Sequence, residues 1–368
     1  MHANPKLLLR GVAASAPIDK ALTTQRYEVK YSDADVFAWR PDLVFPPPPG
    51  GNLLEAEVVY QTDEFGFRNT PPLPAQVDVA VLGRSTSQGA QAASSWPQLL
   101  AQQIDIQVLN LAQPSIGIHL RHKYLKDYAL PRRPRWVIFE VIPKIDIVGT
   151  PASDRDGWIL TRRLLPVLAR SLLLPLWQPP AASLDRAIYP LSIDLPNGSF
   201  DLVCCLHYLE FYSVDRQTLE HSLDWAIYRQ ALDAILAEAR AQETCVALFF
   251  APKKPDIYFA LATDPPQLAP VLRDYGSLKI DKQGRLVLDA SQQPGIETIL
   301  NNLSAGRELV RAYAHENRLP LIDPSEAFTQ AVLRGADPFM RYDSHWNQLG
   351  HQLIADVAAQ VLGAEKCE

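Results

Sequence analysis

The stretch that decides the fold is Val77-Asp-Val-Ala-Val-Leu-Gly-Arg-Ser85-Thr-Ser-Gln-Gly89. Its first half is an apolar run of the kind found in strands, and the run ends abruptly in Gly83-Arg84-Ser85. The sequence from Trp96 to Ile104 then reads as a helix. A serine between a parallel strand and the following helix lies where open α/β sheets hold their reacting groups. A free serine hydroxyl reacts poorly at neutral pH, so Ser85 needs a base to become a nucleophile.

Downstream of residue 77 the predicted strands and helices alternate. Strand candidates are Val77–Leu82, Ile106–Leu111, Trp136–Ile142, Thr244–Ala251 and Leu319–Ile322. Helices fit residues around 96–104, 118–130, 220–242, 299–316 and 347–362. The strands are near-continuous apolar runs, as expected when helices cover both faces of a parallel sheet. This order predicts an α/β fold with a doubly wound sheet of five parallel strands.

Two segments lie outside that repeating pattern. Residues 1–76 show little periodicity apart from a short strand near Glu55–Gln61, and we interpret them as an N-terminal arm on a domain of residues 77–368. An insertion of about 147–219 separates the third and fourth strands, and residues 162–177 within it are apolar, basic and interrupted by prolines. The insertion fits a packed subdomain, a lid over the site, or a surface that contacts membrane lipid peripherally.

Composition excludes several classes of protein. The 368 residues are 47% hydrophobic and 21% charged with a net charge of −6, which fits a globular protein and gives no electrostatic case for nucleic acid. No apolar run reaches the roughly 18 residues of a membrane-spanning helix. The four cysteines have no metal-binding spacing, and we expect thiols rather than a disulfide framework. The segment from Gly83 to Gly89 lacks the ending of a phosphate-binding loop.

The most economical base for Ser85 lies far downstream, in Asp343-Ser-His345-Trp-Asn347. A carboxylate two residues before a histidine in a loop can reach its imidazole, fix the tautomer and stabilise the imidazolium that forms when histidine takes a proton from serine. Asp343 and His345 also fit a simpler role as a helix cap and a surface residue. The pairing with a serine that follows a strand favours the catalytic interpretation.

The sequence resembles the SGNH (GDSL-type) hydrolases, a family with a flavodoxin-like fold whose members hydrolyse or transfer acyl esters. Gly83-Arg-Ser85-Thr-Ser-Gln-Gly89 is similar to the first block of the family, G-D-S-x-x-x-G, and Tyr342–His351 is similar to the last, D-x-H-x-N-x-x-G-H. Val108–Gly117 and Phe139–Asp146 match the second and third blocks. The resemblance implies a triad of Ser85, His345 and Asp343, with no metal or organic cofactor.

Three departures from the family pattern concern the oxyanion hole, in which the first-block serine amide, a second-block glycine amide and a third-block asparagine bind the developing charge. The glycine position is Ser115, with Gly117 two residues on, and the asparagine position is Ile145, which has no side-chain donor. Arg84 replaces the first-block aspartate. Either Arg84 or Lys144 supplies the missing positive field, which suits an anionic substrate or a relocated oxyanion hole, or the site is weakened and the fold serves for binding.

The resemblance implies a serine-dependent acyl ester hydrolase or acyltransferase, with an acylated carbohydrate as the expected substrate. A lipid ester is an alternative because of the apolar insertion. The contrasting function is a catalytically weakened binding or assembly protein of a polysaccharide system. Asp63–Arg68 and Ala251–Tyr258 resemble a branch of the family from the bacterial cell envelope, which suggests that location, with the cytoplasm as the alternative. The sequence leaves hydrolysis versus transfer and the oligomeric state open.

Overall fold

Five parallel strands form the central sheet of the computed structural model, which describes residues 24–32, 52–114, 116–153, 188–205, 209–263, 276–340, 344–365 and 367. The strands of this sheet, numbered with those of the hairpins in chain order, are β3 (Val79–Leu82), β4 (Val108–Asn110), β5 (Trp136–Val141), β8 (Cys245–Phe250) and β11 (Leu321–Ile322). Every residue of β3 and of β5 is buried, so both faces of the sheet are covered. The predicted α/β fold with a five-stranded parallel sheet is confirmed.

The strand order is β11-β8-β5-β3-β4, with every neighbouring pair parallel. Counted along the chain within this sheet, the order is 2-1-3-4-5, which is the flavodoxin-like arrangement. The chain runs outward from β3 to β4 and then returns to pair β5 with the other edge of β3. Loops diverge at such a reversal, and ligands bind in the crevice that the diverging loops leave at the carboxyl ends of the strands.

The helices alternate with these strands. They are α1 (Ser85–Gln88), α2 (Trp96–Ile104), α3 (Ile118–Tyr124), α4 (Pro143–Ser153), α5 (Arg216–His221), α6 (Leu223–Ala241), α7 (Lys254–Leu261), α8 (Ile296–Asn301), α9 (Ala305–Glu316), α10 (Ser325–Leu333) and α11 (Gln348–Ala364). Helix α3 continues as a π-helical turn over Leu125–Ala129 and a 3₁₀ turn over Leu130–Arg132. A further 3₁₀ turn spans Leu209–Ser213. Helix α2 packs against α11, and α6 packs against α3 and α4.

Three antiparallel hairpins lie outside the central sheet: β1 (Thr24–Ser32) with β2 (Asn52–Gln61), β6 (Ile188–Leu195) with β7 (Gly198–Cys205), and β9 (Ser277–Ile280) with β10 (Leu286–Asp289). The sequence predicted only part of β2. The β6–β7 hairpin falls in the predicted insertion, whereas residues 162–177 lie outside the described residues. The division into an arm and a domain therefore stays a prediction, as does contact of residues 162–177 with a membrane. None of the described helices is long and apolar enough to cross a bilayer.

The expectation of free thiols was wrong for two of the four cysteines. Cys245, at the start of β8, forms a disulfide with Cys367, which follows α11. The two residues are 122 positions apart. Sequence spacing gives no signal for such a bond because the fold, not the local chain, brings the two sulfurs together. The disulfide ties the end of the chain to the central sheet.

Candidate active site

Ser85 is the first residue of α1 and the third residue after the end of β3. Arg84, which precedes it, has an extended backbone, and Ser85 itself is half-buried at the carboxyl edge of the sheet. The helix lasts only until Gln88 because Gly89 adopts a left-handed conformation with φ 68° and donates its N–H to the Ser85 carbonyl at 3.0 Å. Glycine adopts this conformation at little cost, and it ends a helix in this way. The chain therefore makes a tight turn that leaves Ser85 at the reversal between β3 and β5.

Gly83 makes room for that turn. A Cβ atom at this position would lie 2.4 Å from Glu140 Oε2 and 2.5 Å from the Ser87 Cβ. Both neighbours are buried, one on β5 and the other in α1. A side chain at position 83 would have to displace them, and a close-packed interior resists such a displacement. The glycine of the first motif is thus required by the approach of the β5 carboxylate.

His345 brings its imidazole to Ser85 from the far end of the chain. Its Nε2 lies 2.8 Å from Ser85 Oγ, within hydrogen-bond distance, although 260 positions separate the residues. The His345 carbonyl accepts the Met340 N–H at 2.9 Å, and Phe339 forms an isolated antiparallel bridge with Trp346. The predicted contact between the two motifs is therefore present, in the geometry that a serine nucleophile and its base need.

The residues after His345 hold it in place. The Trp346 side chain is fully buried and its Nε1 donates to the Pro252 carbonyl at 3.1 Å. Asn347 caps α11, because its side-chain oxygen accepts the Gly350 N–H at 3.1 Å. The Asn347 amide nitrogen donates to the carbonyls of Asp337 and Phe339 at 2.7 and 2.9 Å. These contacts explain why tryptophan and asparagine follow the histidine.

Two predicted site residues, Ser115 and Asp343, lie outside the described residues. Gly117, the other candidate for the second oxyanion amide, is buried as the N-cap of α3. Its carbonyl accepts the Arg121 N–H at 3.2 Å, which fixes the start of that helix. Its roles and those of Ser115 and Asp343 stay predictions.

Arg84 does not extend into open solvent beside Ser85. Its guanidinium is 6% exposed and binds Asp146 Oδ1 through Nε at 2.8 Å and Nη2 at 2.7 Å. Arg121, which is fully buried, binds the same oxygen at 2.7 Å, and the Ile142 N–H donates to the other one at 2.8 Å. Burial alone would raise the pKa of Asp146, but Arg121, Arg84 and the Ile142 N–H together lower it from 3.8. Asp146 is therefore a buried carboxylate that stays ionised.

Glu140 completes this buried cluster from β5. Its carboxylate accepts the Arg84 backbone N–H at 2.6 Å and the Thr86 hydroxyl, and its carbonyl accepts Arg121 Nη1 at 2.6 Å. Glu140 is thus both fully buried and a contact of Arg84. We call Arg84, Arg121, Glu140 and Asp146 the buried charge cluster. Its two guanidinium groups match its two carboxylates in number, and Arg84 places the cluster next to Ser85 in the chain.

Lys144 faces a different group of side chains. Its ammonium is buried, donates to the Tyr212 hydroxyl and lies 3.6 Å from Asp256 Oδ2. Tyr212 in turn donates to Asp256 Oδ1 at 2.6 Å. Since Lys144 and Arg84 both pair with carboxylates, their positions favour structural roles over the supply of a free positive field.

Other functional contacts were not evident from sequence. Arg121 belongs to none of the sequence motifs, and its ion pair with Asp146 is evident only from the tertiary structure. His351, in the first turn of α11, is fully buried and its Nδ1 accepts the Trp96 N–H at 3.1 Å. Burial, reinforced by Arg68 and His345, lowers the pKa of His351 to about 3, so it is a neutral imidazole. Within the described ranges, no three histidine, cysteine, aspartate or glutamate side chains are grouped so that they could hold a metal ion.

Comparison with known proteins gave structural similarity alone. No protein-family model and no curated protein matches the sequence. A member of the lipolytic protein G-D-S-L family from Veillonella parvula DSM 2008 is 11% identical, with 78% of this chain and 98% of that chain covered and a TM-score of 0.38. An acetyl xylan esterase is 14% identical, with 77% and 98% covered and a TM-score of 0.36. An acetylxylan esterase from Geobacillus stearothermophilus, determined as a catalytic mutant, is 12% identical, with 78% and 94% covered and a TM-score of 0.36.

Assignment of the fold depends on the chain's own features. The parallel strands follow the flavodoxin-like order, and the serine of the first motif follows the strand at which that order reverses. The histidine of the last motif, just before the final helix, reaches that serine. The chain therefore has a flavodoxin-like α/β fold, in which the serine of the first motif and the histidine of the last motif meet at the carboxyl edge of the sheet.

Proposed function

We propose that this protein is a serine-dependent ester hydrolase or acyltransferase in which Ser85, His345 and Asp343 are the catalytic residues. The observation that supports the proposal best is the 2.8 Å contact between Ser85 Oγ and His345 Nε2. The contact lies at the carboxyl edge of the sheet, at the strand reversal where this class of fold binds its ligands. A serine hydroxyl bonded to an imidazole is the arrangement that makes serine nucleophilic.

The chemistry proceeds in two steps. Ser85 Oγ attacks the ester carbonyl while His345 Nε2 takes the hydroxyl proton, and a tetrahedral oxyanion forms. The oxyanion collapses, the bond to the alcohol oxygen breaks, and His345 returns the proton to that oxygen. Water or a second alcohol then attacks the acyl-Ser85 ester with His345 again as base, and Ser85 leaves with the proton. Asp343, two residues before His345, fits the role of the group that orients the imidazole and stabilises its cation.

The oxyanion needs donors from the backbone. Ser85 is the first residue of α1, where an amide has no acceptor within the helix and can bind an external oxygen. Ser115 or Gly117 fits as the second amide, and Ile145 offers no side-chain donor. Removal of one donor from an oxyanion hole lowers turnover by about 10²–10³. We therefore propose a slower enzyme than one with all three donors.

The substrate and the compartment are inferred from different evidence. An acylated carbohydrate follows from the motif resemblance, and a lipid ester is the alternative. The Cys245–Cys367 bond supports the cell envelope as the location, because disulfides persist in oxidising compartments and are rare in a reducing cytoplasm.

Active-site labelling tests the proposal. A fluorophosphonate probe reacts with a serine only when a neighbouring base activates it, so wild-type protein should be labelled at Ser85. The variants S85A and H345Q should not be labelled. Ser94 is a serine of the following loop, and His122 pairs with Glu238 on α6, so S94A and H122Q are matched controls that should label like the wild type. Equal labelling of wild type and S85A would contradict the proposal.

A binding or assembly function is the second candidate, and the absence of a donor at Ile145 favours it. In that case the folded wild-type protein would resist the probe, and S85A would bind an acetylated polysaccharide as tightly as the wild type. Catalysis predicts labelling of the wild type and turnover that S85A abolishes. The two functions are separated by measuring the binding of the polysaccharide by calorimetry and, on the same proteins, the rate of labelling by the probe.

A further inference from the structure

We propose that residues 62–69, which precede the central sheet in the chain, position the nucleophile, and that Arg68 is the principal positioning residue. The inference rests on the proposed function, because positioning matters only if Ser85 reacts. It assigns a role in the chemistry to a segment that the sequence placed in an arm outside the active domain.

Helix α1, which begins at Ser85, depends on hydrogen bonds from other parts of the chain for its stability. Helix α1 has four residues, and so short a helix gains little stability from its own hydrogen bonds. The carbonyls at its carboxyl end have no partner within the helix and require donors from elsewhere. Glu140 holds the amino end through the Arg84 N–H and the Thr86 hydroxyl. The carboxyl end is held from the segment 62–69.

Arg68 supplies donors to this end and to the loop that follows it. Its Nη1 donates to the carbonyls of Gln88, at 3.4 Å, and Gly89, and its Nη2 donates to those of Ala92 and Ala93, both at 2.8 Å. The side chain is 1% exposed, and its guanidinium stacks on the Tyr60 ring at 4.5 Å. One planar group with several fixed donors thus holds four carbonyls in one arrangement.

Asn69 fixes the middle of α1 indirectly, through Asn110. It pairs with the backbone of Asn110 in both directions, donating to the carbonyl at 3.0 Å and accepting the N–H at 2.8 Å. The Asn110 side chain then donates to the Ser87 carbonyl at 3.1 Å. Asp63 orients Asn69 by accepting its amide at 2.7 Å. Adjacent residues of one segment therefore hold consecutive carbonyls of α1.

Burial of the charged Arg68 guanidinium costs free energy. The guanidinium contacts carbonyls and an aromatic ring, and within the described part of the chain no carboxylate pairs with it. Burial lowers its pKa to about 10. A buried cation without a counter-ion is unfavourable, and a group that only stabilised the fold would be replaced well by an apolar one. Its position at the nucleophile loop gives a reason for keeping it.

Kinetics of the full-length protein test the proposal. We expect R68M to lower the rate of fluorophosphonate labelling and kcat for p-nitrophenyl acetate by about 10²-fold, the effect of a displacement of roughly 1 Å at a reacting group. KM should be unchanged. The labelling rate and kcat of R68K should lie between those of R68M and the wild type, and N69A should also lower both. Methylguanidinium added to R68A should restore part of the activity.

Arg240, on α6, is the control because, among the described residues, it makes no hydrogen bond with the segment 62–69 and, like Arg68, it donates to a backbone carbonyl, that of Asn317 at 3.0 Å. R240M should leave the labelling of Ser85 at the wild-type rate. If R68M does not fold, R68K and N69A decide the question. Wild-type labelling rates in folded R68K and N69A would overturn the inference and leave the proposed function intact, whereas an unlabelled wild type would refute the proposed function itself.

Discussion

The buried charge cluster gives the sharpest stability prediction. Substitution of Arg84 by methionine keeps most of the apolar volume and removes one of two cations, so the cluster acquires a net charge of −1. Arg84 is 6% exposed as a residue and the other three residues are fully buried, so water cannot screen the imbalance. Asp146 keeps its contact with Arg121 at 2.7 Å, which limits the loss.

The expected loss of unfolding free energy depends on which ion pairs remain after each substitution. Removal of one partner from a buried ion pair lowers the free energy of unfolding by about 3–5 kcal/mol. We expect R84M to cost about 3 kcal/mol, at the low end, because Arg121 still neutralises Asp146. D146N should cost about 5 kcal/mol, because it leaves two guanidinium groups directed at one uncharged oxygen.

Urea unfolding of the single and double variants measures these values. The double variant R84M/D146N again balances the charges of Arg121 and Glu140, so its loss should be roughly 1–3 kcal/mol smaller than the sum of the single losses. R229M is the control, since Arg229 and Glu316 form an exposed pair at 39% and 56% exposure. It should cost at most about 1 kcal/mol.

Acid sensitivity gives a second readout of the same cluster. The pKa of Asp146 is lowered from 3.8 in the folded protein, so its ion pairs add stability above pH 3.8 that is lost as pH falls through the lower folded value. In R84M the folded pKa of Asp146 should rise towards 3.8, so this loss should be smaller and should be complete at a higher pH. The view that the cluster is electrostatically coupled would be refuted by two results together. The losses of unfolding free energy in R84M and D146N would add up to the loss in the double variant, and the fall of stability at low pH would be the same in R84M as in the wild type.

Two further predictions follow from packing and from the disulfide. G83A should lower the free energy of unfolding by about 1–3 kcal/mol and slow the labelling of Ser85, because its Cβ meets Glu140 at 2.4 Å. G363A, in open space on α11, should instead raise stability by up to about 1 kcal/mol, and equal effects of the two substitutions in urea would contradict this reasoning. C367S should lower the free energy of unfolding by about 2–5 kcal/mol because Cys245 and Cys367, which are 122 positions apart, close a long loop. The same loss should appear when the wild type is unfolded with a reductant, and no loss in either case would mean that the disulfide does not form.

Much of the fold was predictable because its signal is local. The five strands of the sheet are apolar runs, and each observed strand lies within its predicted range, for example Trp136–Val141 within Trp136–Ile142. Boundaries were less certain, and the helix predicted for 299–316 is two helices, Ile296–Asn301 and Ala305–Glu316. The β6–β7 and β9–β10 hairpins were missed because their sequences do not carry the continuous apolar pattern of a buried parallel strand.

The sequence alone determined the class of fold and the two motifs that meet at the site. It identified Ser85 and His345 because the serine follows a strand in an α/β pattern and because the residues around both match known motifs. The tertiary structure decided how the surrounding charges are paired. Arg84 binds Asp146 and Arg68 binds the carbonyls of a loop more than twenty positions away, and Cys245 joins Cys367. Arg84 and Asp146 meet because neighbouring parallel strands bring their carboxyl ends to one edge, whereas Cys245 and Arg68 meet their partners through the packing of other segments. All of these partners are distant in sequence, so no local pattern records them.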